Sequence, residues 1–293
     1  MAHFAAAPAT GRAVRAMIRV VMLAAMPQES RPVLKLLGES HRLAGEPLPT
    51  WLQRSSHVEL LLVETGMGSE RARRAALRVL SASRIDLLVS IGFAGSLWPS
   101  FRLGQVVWSR ELAAYDERSG SASPVGFRHG PVPGLAAFCR IHDVRPARFL
   151  TVDRVRSKAG MAGRFADEPT VVEMESTPVA AAAHGRGVPF LGLRAISDEA
   201  TQEIAWQPAS ILDGADRVSV PRVVAAVLRR PILLGSLLRL WRGSRVAGRE
   251  LAATLTALLQ LPEDDLRALA EQLQLQPLSE ADPARPLRRV DST

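Results

Sequence analysis

The sequence predicts an α/β fold in which a central sheet is covered by helices on both faces. Two observations carry this prediction. Short, nearly continuous apolar runs recur at 18–24, 57–64, 85–91, 105–109, 149–152, 170–173 and 190–196, as expected of strands buried on both faces. Between some of them lie amphipathic stretches, such as 69–81 and 176–184, with the 3.6-residue period of helices. Strands alternating with helices assemble into a three-layer α/β/α domain.

The elements follow in order. Residues 1–16 are alanine-rich without a clear period and are expected to be disordered, with Met17 as an alternative start. Arg15 and Arg19 precede the run Val20-Val21-Met22-Leu23-Ala24-Ala25-Met26, which has the flavour of a secretory leader. The run is short, however, and leads into Pro27-Gln28-Glu29 without a small-residue cleavage site, so it reads as a buried first strand. After the second strand, Gly66-Met67-Gly68-Ser69 matches neither the P-loop nor the dinucleotide fingerprint, and reads as a tight strand-to-helix turn with Ser69 as N-cap. Ser176 and Pro178 open a later helix that Gly185 is placed to close. The domain is expected to span 17–215.

Beyond it the character changes. Residues 217–249 carry Arg217, Arg222, Arg229, Arg230, Arg239, Arg242, Arg245 and Arg249 with no acid until Glu250, interleaved with Val, Leu, Ile and Trp241. The pattern predicts two basic amphipathic helices broken at Pro231, followed by an acidic helical segment over 263–276. The extension therefore occupies 216–276, and the Pro/Arg-rich tail 277–293 is expected to be disordered.

Composition bounds the function without choosing it. A chain of 293 residues, 47% hydrophobic and 23% charged, is an ordinary globular protein. Its net charge of +8 comes from arginine, since Lys35 and Lys158 are the only lysines. Such an excess suits anionic partners or a GC-rich genome alike. No nucleic-acid module accompanies it, so nucleic acid is not an expected partner. The lone Cys139 excludes an internal disulfide, and no apolar run reaches the ~18 residues of a membrane span. A cytoplasmic protein is expected, with peripheral membrane contact through 217–249 left open. His3, His41, His57, His129, His142 and His184 show no metal-ligand spacing, so neither metal nor cofactor is expected.

Three strand ends carry acids: Glu29, the pair Glu173 and Glu175, and Asp198. Ligands in open α/β sheets bind beyond the carboxyl ends of strands, where such carboxylates could converge. Taken singly, most of them read instead as a loop charge or as a helix-start acid complementing the macrodipole. Their neighbourhoods are more telling. Ala25-Met26-Pro27-Gln28-Glu29, Glu64-Thr65-Gly66-Met67-Gly68, Gly92-Phe93-Ala94-Gly95, Val172-Glu173-Met174-Glu175-Ser176 and Arg194-Ala195-Ile196-Ser197-Asp198 together resemble the methylthioadenosine/S-adenosylhomocysteine nucleosidase branch of the nucleoside phosphorylase superfamily, in order and approximate spacing. The resemblance covers roughly 17–215.

That resemblance implies a phosphorylase/hydrolase-like fold with a mixed central sheet, a homodimer, and a purine nucleosidase that cleaves the N-glycosidic bond of a 5′-substituted adenine nucleoside. Asp198 would protonate N7 of the base, and Glu29 would activate the attacking water near Arg194. Glu175 would bind the ribose hydroxyls and stabilise an oxocarbenium-like transition state, with Met174 packed on the ribose. Glu173, Ala94, Gly95, Val155 and Ser197 complete the implied substrate contacts. Departures from the pattern bear on the nucleophile. The usual serine of the Gly-x-Ala-Gly turn is Phe93, and the position of the phosphate-holding arginine of phosphorolytic relatives is Ser90. Both favour water over phosphate. A phosphorylase, or an inactive homologue with Phe93 filling part of the pocket, are the alternatives.

The segment Thr151-Val152-Asp153-Arg154-Val155-Arg156, with Glu175-Ser176 and the basic extension, resembles more closely the hopanoid-associated phosphorylase-like proteins. The resemblance implies an adenosyl-hopane substrate, with Val155 in place of a stacking aromatic ring. Residues 217–249 then have two readings: docking on a membrane, or packing on the catalytic domain.

Overall fold

A computed structural model describes residues 16–82, 84–116, 120–154, 158–165, 168–202 and 233–278. The predicted strands at 18–24 and 57–64 form β1 (Ile18–Ala24) and β4 (Val58–Glu64), joined through α1 (Pro27–Leu37), β2 (His41–Arg42) and β3 (Thr50–Arg54). There follow α2 (Ser69–Ala82), β5 (Leu87–Ser96), β6 (Val106–Asp116), β7 (Ser121–His129), α3 (Pro133–His142) and β8 (Arg145–Thr151). A short α4 (Ala159–Ala162) leads to β9 (Thr170–Glu173), α5 (Ser176–His184) and β10 (Phe190–Asp198). The described C-terminal part comprises α6 (Leu233–Leu259), α7 (Glu263–Gln272) and β11 (Leu275–Pro277).

Parallel strands β4, β1, β5 and β10 form the middle of a mixed sheet. Pairing continues from β10 to β6, β6 to β8, β8 to β9, and β9 back to β5, so five strands close a ring. The closure brings the ends of β5, β9 and β10 together although they are far apart in the chain. Nothing in the periodicity signals it, because a pairing partner is not written in the pattern of a single strand. One apolar cluster lies between the sheet and α1, α3, α6 and α7, and a second between the sheet, α2 and α5. These are the two covered faces that the continuous apolar runs predict.

Several expectations need correction. The strand expected at 105–109 runs from Val106 to Asp116, and the antiparallel β7 beside it breaks its alternation at Pro124 and Gly126. The acidic helix ends at Gln272, and Leu275–Pro277 pairs antiparallel with β7. The helix at 176–184 is as expected, but Ser176 does not cap it: Glu173 Oε2 accepts the Ser176 N–H at 2.7 Å. Likewise Ser69 Oγ donates to Met174 O at 3.0 Å, tying the start of α2 to the turn after β9.

The C-terminal helix is part of the core rather than an appendage. Ala247, Leu251, Ala252, Leu255, Leu258 and Leu259 form a buried stripe against the sheet and α1. Two glycines permit the close approach. A methyl group at Gly243 would come within 2.3 Å of Ser197 O, and one at Gly248 within 3.0 Å of Pro32 Cγ. Thus α6 lies directly behind the turns that carry Glu29 and Asp198. The first predicted basic helix, the proposed break at Pro231 and most of the expected tail lie outside the described residues.

Candidate active site

The site has two ends, both along the last turn of β5. A side chain at Gly92 would meet Glu29 Oε1 at 2.6 Å, and one at Gly95 would meet Asp198 Oδ2 at 2.8 Å. Gly92 and Gly95 stand three steps apart along the strand, a spacing of roughly 10 Å. The two glycines are needed because each lets a carboxylate lie against bare backbone.

At the first end, Glu29 stands in the first turn of α1 and is buried. Its Oε2 accepts the N–H groups of Ala25 (2.8 Å) and Met26 (3.0 Å), and its Oε1 accepts that of Phe93 (3.0 Å). Burial raises its pKa above the usual carboxylate value, against the opposing pull of Arg194 and the three backbone donors. Phe93 contributes this N–H while its ring packs on the α1/α6 face, where a methyl group at Gly248 would touch Cζ at 3.6 Å.

Arg194, on β10, is 1% exposed and joins this end to the turn after β9. It donates to Glu173 Oε2 at 2.8 Å and to the carbonyl and hydroxyl oxygens of Ser90 at 2.9 and 3.1 Å, and its Nη2 lies 3.9 Å from Glu175 Oε2. Ser90, read above as the place of a missing arginine, here anchors one. Glu173 also accepts from Thr151 Oγ1 and from the Glu175 and Ser176 N–H groups. A carboxylate so occupied holds the turn in shape. Glu175 accepts the Gly68 N–H at 3.0 Å and is pushed up to about 7, first by burial and then by the neighbouring Glu173 and Glu29 carboxylates, against Arg194. The turn Gly66-Met67-Gly68-Ser69 therefore belongs to the site. Met174 is half-buried against the cluster of Leu97, Leu150, Val152, Met161 and Phe165.

At the second end, a bulge in β10 inserts Ser197 and sets Asp198 opposite Gly95. Ser197 Oγ donates to Asp198 Oδ1 at 2.6 Å and lies 3.4 Å from Ala94 O. Asp198 Oδ2 is ion-paired with the ammonium of Lys158, and both side chains are buried. Lys158 also donates to the carbonyl oxygens of Asp198 (3.1 Å) and Glu199 (2.9 Å). Val155, expected against the base, lies outside the described residues.

The sequence model of the phosphorylase superfamily matches residues 19–227. The chain belongs to that superfamily. Among its relatives is the 5′-methylthioadenosine/S-adenosylhomocysteine nucleosidase of Geobacillus kaustophilus, 27% identical over 192 residues, covering 59% of this chain and 80% of that protein. The fold is also that of the S-adenosylhomocysteine nucleosidase of Streptococcus pyogenes in complex with 5-methylthiotubericidin (TM-score 0.64, 19% identity, covering 85% of this chain and 99% of that one). A Helicobacter pylori nucleosidase mutant with 5′-methylthioadenosine in its active site gives a TM-score of 0.62 at 16% identity, covering 83% and 98%. A mutant futalosine hydrolase from the same organism gives 0.56 at 17% identity, covering 82% and 100%.

Within this superfamily fold, the structure gathers Glu29, Glu173, Glu175 and Arg194 at one end, and Ala94, Gly95, Ser197 and Asp198 at the other. Sequence reasoning missed Lys158, Ser90, Thr151 and Gly68. Lys158 had a signal of its own, as one of two lysines in a chain whose other cations are arginine. His129 is buried beside Trp108, and burial lowers its pKa to about 4.

Proposed function

We propose that the protein is a purine nucleosidase that hydrolyses the N-glycosidic bond of a 5′-substituted adenine nucleoside, releasing adenine. The observation that carries this reading is the pair of buried carboxylates, Glu29 and Asp198, held apart along β5 with Glu175 and Arg194 beside the first. Asp198 protonates N7 so that the base leaves neutral, while Glu29 takes a proton from the water that attacks the anomeric carbon. Desolvation suits Glu29 to that task, because a carboxylate with a raised pKa is a better base near neutral pH. Glu175 accepts from the ribose hydroxyls and, when ionised, stabilises the growing positive charge on the sugar.

Water is the nucleophile in this reading, because Ser90 and Phe93 stand where phosphate contacts are expected in phosphorolytic relatives, and Arg194 is engaged by Glu173 and Ser90. Incubation with methylthioadenosine, adenosine and inosine, with and without phosphate, tests it. Free adenine and a reducing sugar at equal rates in both conditions are expected. Strict dependence on phosphate makes the enzyme a phosphorylase, and no release from any nucleoside removes the reading.

A second reading concerns the 5′ substituent. Leu238, Trp241 and Val246 are exposed on α6, and Arg245 lies 4.7 Å from the Trp241 ring, with Arg242 also exposed on the same helix. This mixed apolar and basic surface adjoins Gly243, which touches Ser197. It favours a substrate with a lipid-like group, such as an adenosyl-hopane, met at an anionic bilayer. No described helix is long and apolar enough to cross a membrane. Truncation at Asp216 would strip Leu251 and Leu255 from the core, so the test is Trp241→Asp with Leu238→Asp in the full chain. Loss of co-sedimentation with anionic liposomes is expected; unchanged sedimentation, or none for the parent chain, leaves a soluble substrate.

A further inference from the structure

Asp198 presents a chemical difficulty. A general acid must hold a proton before the base departs, yet the partner of this carboxylate is a buried ammonium, which has one to give. The surroundings of Lys158 fit both of its protonation states. Its ammonium has three N–H groups, and among the oxygens around it are Asp198 Oδ2, Asp198 O and Glu199 O. As a neutral amine it keeps two N–H groups for the two carbonyls and turns its lone pair to Oδ2, which then carries the hydrogen. Only one proton moves, and no group has to reorient.

Resting on the nucleosidase reading, we propose that Lys158 is the proton reservoir of the general acid and acts through Asp198. As the C1′–N9 bond breaks and its electron pair passes into the purine, N7 takes the proton from Asp198 Oδ2. That proton comes from Lys158: its Nζ–H bond breaks to form the Oδ2–H bond, which breaks in turn as N7–H forms, leaving a neutral amine beside an ionised carboxylate. Water supplies the oxygen at C1′ and gives its proton to Glu29; the amine regains a proton from solvent after the base leaves. Gly95 belongs to the same device, since a methyl group there would lie 2.8 Å from Asp198 Oδ2 and 2.9 Å from Lys158 Cε.

The experiment compares two leaving groups in the full chain: adenine from methylthioadenosine, which needs a proton, and nitrophenolate from p-nitrophenyl β-D-ribofuranoside, which does not. Lys158→Arg preserves the charge but replaces the ammonium with a guanidinium that does not give up its proton in proteins. Lys158→Gln preserves hydrogen bonding without an acidic proton. Each variant is expected to slow adenine release by roughly 100-fold, the scale of a general-acid contribution, while nitrophenolate release changes by less than about threefold. Retained nitrophenolate release also shows that the variant is folded with its ribose end intact. Adenine release at near the parent rate in either variant overturns the proposal. So does an equal loss with both leaving groups in both variants, which assigns Lys158 a structural role. A parent chain that cleaves neither compound overturns the nucleosidase reading itself, a result distinct from either of these.

Discussion

The two ends of the site are built on different principles. At the Glu29 end, four ionisable groups share one buried space, and their shape is fixed by backbone N–H donors from short segments: Ala25, Met26, Phe93, Gly68 and Ser176. At the Asp198 end, one carboxylate meets one ammonium that arrives from a loop 40 residues earlier. Three carboxylates around one arginine leave excess negative charge, which is stored as a raised proton affinity; a matched pair stores a proton in a hydrogen bond instead. The first arrangement suits a base and a site for developing positive charge, and the second suits an acid.

The sharpest way to break this contrast is to neutralise each end. Asp198→Asn and Glu29→Gln are each expected to cut adenine release by about 10² to 10⁴-fold with folding preserved, because each removes one proton transfer at nearly constant shape. Near-parent turnover by either variant, measured by single-turnover release of adenine, dissolves the division of labour.

Next come the glycines that seat the carboxylates. Gly92→Ala and Gly95→Ala place a methyl group 2.6 Å from Glu29 Oε1 and 2.8 Å from Asp198 Oδ2. Displacement of either carboxylate by about an ångström is expected to cost roughly 10- to 100-fold in kcat. The two variants are distinguishable by leaving group, since only the Gly95 change disturbs the acid.

The smallest expected effect is on stability, and it has opposite signs in function and folding. Glu175 is raised from 4.5 to about 7, so the folded protein holds a proton there that the unfolded chain has lost. That stabilisation is complete below pH 4.5 and disappears as pH rises through about 7, a difference on the order of 3 kcal/mol. Glu175→Gln removes the buried charge, so its Tm at pH 8 is expected to exceed the parent's, by roughly 2 to 4 °C per kcal/mol. At pH 5 the two should nearly coincide, while activity is lost at both. A Tm at pH 8 below the parent's would show that Glu175 is stabilised as an anion.

Much of the fold was legible because a strand buried on both faces must be apolar throughout and a surface helix must be amphipathic; β1, β4, β5 and β10 and helices α2 and α5 follow from those rules alone. Strand β7 was not legible, since Pro124 and Gly126 interrupt its alternation, and β11 is too short to carry a pattern. In the extension, the apolar residues of 247–259 predict a buried helix face but not which surface receives it. That choice rests on Gly243 and Gly248, whose missing side chains mean nothing until Ser197 O and Pro32 are found against them.

For the site, the sequence by itself placed acids at strand ends, and the resemblance of their motifs singled them out with the arginine: Glu29 three residues past the end of an apolar run, Glu173 and Glu175 flanking one methionine, Asp198 after Arg194-Ala195-Ile196-Ser197. Only the tertiary structure decided what each one pairs with. The closing of β9 onto β5 sets Glu173 against Arg194, and Lys158, just before α4, meets Asp198. Those pairings set which groups hold protons, since desolvation and the nearest opposite charge act through space and not along the chain.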